Sequence, residues 1–504
     1  MRGDTQLGDS VFFHRPNELK TPNYYRLIEA YYKSVAGERK HPPRRNLYKV
    51  ESGVVNPQLK SVPYPAMKLI LRSLPLLFLF VNALQLPALS QSSKPNIIYI
   101  MADDLGYADL SCYGRKDYQT PHLDKLASQG VKFMNAYAAA PLCTPTRTAF
   151  MTGRYPARTP IGLMEPLRGR HKDSVIGLTP DYTSVATLLK KSGYETYLVG
   201  KWHLGYGPEY SPNKNGFEYF FGFNAGGTDY ISHTNRIGRG DLYENEIPIT
   251  KEGYLTDIWA EKAIEIIRQK HTKPFFLSLM FNAPHWPLQA PGDTKYPDSL
   301  DWRNGGSKEK FAAVMKSLDD AVGKIMQTID DENMAGNTLI IFTSDNGGEK
   351  FSDMGIYSGK KEQLWEGGIR VPAFVRWPGM IPANSVTQQI AITMDWTATI
   401  LAVANAKPDP AFPPDGINLL PICTGKKKII DRTFYWRLFQ STKQKAIRDG
   451  NWKYLQIEKE EFLFNLADDP GEKKDIKSLH PSIFQQLKMK YGKWEKEMLE
   501  PVAL

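Results

Sequence analysis

Asn96-Ile97-Ile98-Tyr99-Ile100-Met101-Ala102-Asp103-Asp104 is the stretch on which the fold turns. An apolar run reads as a strand, and it ends directly on two carboxylates. Three later stretches repeat the arrangement. Thr196–Val199 leads to Lys201 and His203, Phe275–Phe281 leads to His285, and Leu339–Thr343 leads to Asp345-Asn346. Helix-period segments lie between the runs, which points to an α/β fold with a large, mostly parallel central sheet flanked by helices. In an open α/β sheet, ligands bind outside the carboxyl ends of the strands. Parallel strands therefore carry all four polar groups to one edge.

Each group has a plain alternative. An Asp pair or Asp-Asn after a strand is ordinarily a turn or cap, and a lone His is ordinarily a structural hydrogen-bonder. Their joint occurrence favours a single site. Asp103, Asp104, Asp345 and Asn346 offer only oxygen, which suits Ca²⁺ or Mg²⁺ better than zinc. Lys201, His203, His285, Arg147 and Lys361 offer cationic or titratable groups. Set against a divalent cation, they make a pocket for an oxyanion such as a phosphate or sulfate ester.

Between the first strand and these groups lies Cys143-Thr144-Pro145-Thr146-Arg147, followed by Thr152-Gly153-Arg154. A buried cysteine alone is a small hydrophobe. Cys-x-Pro-x-Arg followed by Thr-Gly-Arg, however, resembles the pattern at which sulfatases have their cysteine oxidised to formylglycine. On these motifs the chain resembles the formylglycine-dependent sulfatases of the alkaline phosphatase-like superfamily. The likeness runs from about Pro95 to Asp475 and is nearest to the arylsulfatase A and N-acetylgalactosamine-6-sulfatase branch.

The resemblance implies one Ca²⁺ held by Asp103, Asp104, Asp345 and Asn346 beside the modified Cys143. It implies that Arg147 orients the formylglycine, that Lys201, His285 and Lys361 grip the sulfate, and that His203 hydrogen-bonds the aldehyde hydrate. Lys361 rather than Lys360 has the family's spacing to Glu366-Gly367-Gly368. Phe464 to Glu472 resembles the family's C-terminal signature and reads as a structural turn. Thr146 departs from the Ser or Ala of many members, which bears on which maturation enzyme acts. The implied reaction is attack of a diol hydroxyl on sulfur, departure of the alcohol protonated by His285 or Lys361, and release of sulfate as His203 takes a proton from the second hydroxyl. The implied partners are a sulfated carbohydrate or aryl sulfate ester and a formylglycine-generating enzyme. A phosphodiesterase or phosphatase of the same superfamily, and a non-catalytic sulfated-glycan binder, are the competing classes.

Composition supplies the outer bounds. The 504 residues are 41% hydrophobic, enough for a large core. The formal charge of +10 suggests a polyanion binder until it is located. Residues 1–66 carry eleven Lys/Arg against six Asp/Glu, and Lys68 and Arg72 add two more, so the body from residue 91 is nearly balanced. Nothing in it calls for nucleic acid.

Residues 67–90 have the form of a secretory signal peptide. Met67-Lys68 to Arg72 is a basic start, Leu74–Leu89 an apolar run broken by prolines, and Ala88-Leu89-Ser90 a small-residue cleavage site. The run is too short and interrupted to span a bilayer, so the mature chain is expected to be exported without an integral membrane segment. Met67 then reads as the initiator, with 1–66 a doubtful extension.

Residues 91–405 form the expected catalytic domain. Beyond the proline-rich stretch Lys407–Pro414, residues 406–504 alternate as short strands and end in a helix. That predicts a small antiparallel sheet with one helix packed on it. Cys112, Cys143 and Cys423 are the three cysteines, and an odd count leaves at least one unpaired or modified.

Overall fold

The computed structural model describes residues 94–169, 175–297, 301–440 and 442–501. The signal-peptide and extension segments fall outside the described residues. Ten strands form one sheet: β1 (Asn96–Ala102), β2 (Val131–Tyr137), β3 (Glu195–Lys201), β4 (Tyr219–Phe223), β5 (Tyr243–Glu244), β6 (Ile247–Pro248), β7 (Phe275–Met280), β8 (Thr338–Ser344), β9 (Ala373–Arg376) and β10 (Ser385–Ile392). Their order is β10-β2-β9-β8-β1-β7-β3-β4-β5-β6. The four strands read from sequence, β8, β1, β7 and β3, are consecutive neighbours and all parallel. Only β9 and the short β5 run against the rest.

Why β1 is apolar throughout follows from its place. Ile98 and Ile100 pack on one face against Trp259 and Leu318. Ile97, Tyr99 and Met101 pack on the other against Phe150, Leu189 and Ile400. A central parallel strand has both faces covered, so period-two alternation disappears. The covering helices are α1 (Pro121–Ser128), α2 (Cys143–Thr152), α3 (Val185–Lys191), α4 (Leu255–Arg268), α5 (Lys308–Asp331) and α6 (Thr393–Val403).

Two of these helices start differently. Thr120 precedes α1, but its hydroxyl makes no capping bond; it is engaged by Ser111 and Asp124 instead. Helix α3 starts at Val185, because the Ser184 side chain accepts from Thr187 N and caps it there. Its buried face is Val185, Ala186 and Leu189, with Leu188 only half-buried.

The second sheet is antiparallel, in the order β11 (Thr433–Leu438), β12 (Gln444–Asp449), β13 (Trp452–Ile457), β14 (Glu460–Asn465), with helix α7 (Pro481–Glu495) against it. It shares a core with the main body: Trp436, Leu455 and Phe464 pack with Tyr137, Ala149 and Leu364. The Lys407–Pro414 stretch is pinned to the body near both ends, where Asp409 accepts from Thr183 (2.6 Å) and Asp415 from Tyr155 N (2.8 Å). None of the three cysteines is joined to another in a disulfide. No helix among the described residues is long and apolar enough to cross a membrane.

Candidate active site

Cys143 is the first residue of α2, a helix buried along its whole length. Pro145 falls in the first turn, where its missing N–H removes a donor that would have no helical partner. Arg147 is one turn beyond Cys143 and so shares its face. Gly153 ends the helix with φ 69°, donating to Ala149 O (2.8 Å), a left-handed stop that favours glycine. Thr146 closes the loop that delivers the cysteine. Its hydroxyl donates to Ala140 O (2.9 Å) and accepts from Ala140 N (3.1 Å). The hydroxyl retained at this position is therefore structural.

Backbone bonds extend the sheet past its strand ends and hold the polar groups in register. Asp103 N donates to Ala283 O (3.1 Å), Asp345 N to Ala102 O (3.1 Å) and Trp202 N to Phe223 O (2.9 Å). Asp104 and His203 sit at φ 63° and 56°, unusual for non-glycine residues and a further sign of a site that dictates its own backbone.

The predicted residues converge. The Cys143 sulfur lies 3.5 Å from Asp103 Oδ1, and Lys201 Nζ lies 2.5 Å from Asp103 Oδ2. Arg147 forks onto Asp345 Oδ2 at 2.9 and 3.1 Å. Asp345 Oδ1 accepts from Asp104 N (3.2 Å), and Asn346 Nδ2 donates to Asp104 Oδ1 (2.8 Å). Lys361 Nζ meets Asp104 Oδ2 at 2.7 Å, with His285 Nε2 3.6 Å from the same oxygen. Lys360 is exposed, so the two adjacent lysines are separated by burial.

Both histidines have a fixed tautomer when neutral. A carbonyl only accepts, so His203 Nε2–H donates to Leu167 O (2.7 Å) and its buried Nδ1, which has no partner, keeps a bare lone pair. His285 Nδ1–H donates to Trp286 O (2.7 Å), leaving Nε2 toward Asp104. Burial, reinforced by Lys201, holds His203 well below the ordinary imidazole value. Burial lowers His285 to about 3, with Lys361 adding to the effect and Asp104 opposing it.

Among the acids, burial and then the Asp103 charge push Asp345 up to about 6. Burial pushes Asp104 the same way, but Lys361, His285 and Lys201 outweigh it and hold its carboxyl well below the usual range. Burial also raises the Cys143 thiol far above the ordinary value. An unmodified Cys143 is thus a neutral thiol and a poor nucleophile.

The donor set fits a hard divalent cation. Carboxylate oxygens of Asp103 and Asp104 lie within 4.8 Å of each other, of the Cys143 sulfur and of a His285 nitrogen, close enough to share one ion with the two oxygens as its hard donors. Asn346 Oδ1 is buried without a hydrogen-bond partner, an orphan oxygen of the kind a cation would satisfy.

A cleft of about 770 Å³ opens onto Cys143, His203, His285 and Lys361. Its floor includes Gly226 and Gly227. A Cβ on Gly226 would lie 2.7 Å from the His203 ring, and one on Gly227 3.0 Å from His285, so only bare backbone passes over both imidazoles. Sequence reasoning missed this pair, because loop glycines carry no signal of what lies beneath them. The aromatic-rich segment 205–240 divides between the core and the cleft. Phe217, Phe220, Phe221, Phe223 and Tyr230 are core. Asp229 and His233 are also withdrawn from the rim. Asp229 accepts from Ser232 N and Tyr296 N at 2.7 Å each, and His233 bonds Gly253 O. Tyr206, Tyr243, Trp286 and Trp302 do line the cleft.

Fold and site together define an α/β enzyme class whose parallel strand ends gather buried carboxylates and cations beside one cysteine at the mouth of a cleft. Residues 95–406 match the family model described as sulfatase, and residues 353–497 match that described as N-sulphoglucosamine sulphohydrolase, C-terminal. The chain belongs to the sulfatase family. It is 35% identical to human N-acetylgalactosamine-6-sulfatase over 68% of each chain. It is 29% identical to N-acetylgalactosamine-6-O-sulfatase of Bacteroides thetaiotaomicron, over 79% of this chain and 92% of that one. Among solved structures it resembles Ps i-CgsB in complex with k-i-k-neocarrahexaose, with TM-score 0.73, 32% identity, and coverage of 82% and 95%.

Proposed function

We propose that this protein hydrolyses sulfate esters of glycans, using a formylglycine made from Cys143 and a Ca²⁺ ion held by Asp103, Asp104, Asp345 and Asn346. One observation carries the proposal: Cys143 heads a buried helix 3.5 Å from an aspartate that also holds Lys201, at the inner end of an open cleft. The hydrated aldehyde supplies a nucleophilic hydroxyl with a second hydroxyl on the same carbon. Calcium supplies a Lewis acid and a counter-charge to the buried carboxylates.

The chain's own residues do the rest. Arg147 fixes Asp345 through two hydrogen bonds and lies 3.8 Å from Asp103, so it holds the acidic cluster in place beside residue 143. Lys201, Lys361 and His285 surround the position of the sulfate oxygens and neutralise charge that develops there. His203, neutral with Nδ1 bare, is equipped to accept a proton from residue 143. Two relatives named for N-acetylgalactosamine-6-sulfate, and a structural neighbour solved with a neocarrahexaose, support a sulfated glycan as substrate.

The same proposal assigns residues 67–90 to an export signal, the chemistry to a catalytic domain of residues 91–405, and residues 406–504 to a C-terminal subdomain. Mass spectrometry of the peptide containing residue 143, from the native host, tests it together with turnover of a sulfate ester and its phosphate counterpart. Aldehyde at 143 and preference for sulfate are expected. An intact thiol in active protein, or faster phosphate ester turnover, would overturn it.

A further inference from the structure

The cleft mouth carries more positive charge than one sulfate requires. Beyond the inner residues it is lined by Arg168, Arg236, Arg239 and Arg303, against two acids, Glu362 and Asp241. Asp241 is buried and accepts from Asn224 N (3.3 Å) and Ala225 N (2.9 Å), so it serves the backbone rather than the arginines. The charge is held on built structure. Residues 228–240 form a hairpin closed by bridges between Thr228 and Asn235 and between Thr234 and Gly240. The Asn235 side chain accepts from Ile237 N (3.2 Å) and Arg239 N (3.1 Å), and Gly238 takes φ 74° at the tip. At the base, Asp229 binds Ser232 N and Tyr296 N. The tip is thus shaped by its own hydrogen bonds, and it exposes Arg236, Ile237 and Arg239.

These arginines are not equivalent. Arg236 reaches Asp301 at 2.7 Å and ties the hairpin to the turn Trp302–Asn304. Arg303, on that turn, is only loosely paired, 3.5 Å from Glu362 and 3.7 Å from Glu349. The Arg239 guanidinium has no hydrogen-bond or ion-pair partner among the described residues. An unpaired arginine on a hydrogen-bonded tip and a loosely paired one, lining the same cleft together with Ile237, Trp302 and Tyr206, have the make-up of an anion-binding subsite.

We infer that Arg239 and Arg303 form a second anion subsite, which binds another sulfate or a uronate carboxylate on the same glycan while the inner residues hold the ester to be cleaved. This rests on the sulfatase reading and narrows its substrate to multiply charged oligosaccharides. Calorimetry on the mature enzyme in calcium-containing buffer tests it with three probes: inorganic sulfate, sucrose octasulfate and a monosulfated chondroitin disaccharide. The octasulfate should bind at least tenfold more tightly than inorganic sulfate, and its affinity should fall steeply with added NaCl.

Arg239→Ala should weaken octasulfate binding by about tenfold, the scale of one charge-assisted contact, and Arg239→Lys should recover part of it. Inorganic sulfate, which fills only the inner position, should shift less than twofold, which also reports an intact fold. A parallel loss for the disaccharide, whose only anion besides its sulfate ester is the uronate carboxylate, places a carboxylate among the accepted groups; a loss confined to the octasulfate restricts the subsite to sulfate. Equal affinities for octasulfate and inorganic sulfate, or indifference of the octasulfate to Arg239→Ala and Arg303→Ala alike, would overturn the subsite. Failure of the sulfatase reading shows separately, as absence of sulfate ester hydrolysis.

Discussion

Two clusters of buried charge lie in this molecule, and they are built differently. The first, at the strand ends, gathers Asp103, Asp104, Asp345, Arg147, Lys201 and Lys361. The second lies where the single turn Glu366–Ile369 meets the C-terminal sheet. There Glu366 accepts from Tyr137 (2.5 Å), Arg370 (2.8 Å) and Lys453 (2.9 Å), while Glu472 pairs with Lys453 (2.7 Å) and accepts from Glu366 N (2.6 Å). Arg370 and Arg448 both donate to the Tyr137 hydroxyl. In this second cluster each cation is matched to an acid or hydroxyl, and it lines none of the described clefts. The first opens onto a cleft and leaves Asn346 Oδ1 and His203 Nδ1 without partners. Burial and ion pairing alone therefore do not mark a functional site. Unsatisfied polar atoms beside an opening do.

Substitutions can separate the two. Replacing Cys143 by Ala should abolish sulfate ester turnover, by on the order of 10⁶-fold as for loss of a nucleophile, with the urea midpoint nearly unchanged. Lys453→Met should do the reverse. It strands Glu472 in the interior, takes one of two cations from Glu366 and should cost roughly 3–5 kcal/mol in urea melts, while the protein that remains folded keeps its kcat. If Lys453→Met lowered kcat a hundredfold without loss of stability, the division between the clusters would fail. In the first cluster, Lys201→Ala and His285→Ala should each lower kcat by at least ~10²–10³, and near-native rates would break the comparison from the other side. Chelation by EGTA should remove activity and lower the melting temperature, both restored by Ca²⁺, because a ligand that binds only the native state stabilises it.

The smallest effect falls on the loop before Cys143. Thr146→Val leaves the N–H and carbonyl of Ala140 without their partner and should cost about 1–3 kcal/mol. Thr146→Ser keeps the hydroxyl and loses one buried methyl, roughly 0.8 kcal/mol. Equal costs would mean that the hydroxyl is idle.

How far the sequence could be read follows the same division. The first cluster was legible because each member follows an apolar strand or belongs to a motif, and parallel strands bring such residues to one edge. The second was not. Lys453 and Arg448 sit in strands whose polar alternation looks like an ordinary solvated face, and only the packing of β12 and β13 on the body turns them inward. Strands β4, β9 and β10 escaped notice for related reasons. β4 hides in an aromatic-rich segment, β9 has four residues, and β10 opens with alternating exposed positions. The signature Phe464 to Glu472 read as a structural turn, and Glu472 shows what it holds: its carboxylate ties the turn to Lys453 and to the amide of Glu366.

The paired glycines over the two imidazoles restrict how this catalyst can diversify. A side chain at Gly226 would press into the His203 ring and one at Gly227 would crowd His285, so substitution of this part of the floor disturbs the imidazoles themselves. Selectivity for one sugar over another must be written farther out, on the 228–240 hairpin and the Trp302–Asn304 turn. A library meant to redirect this enzyme to new polysaccharides should randomise those two loops and leave the floor alone.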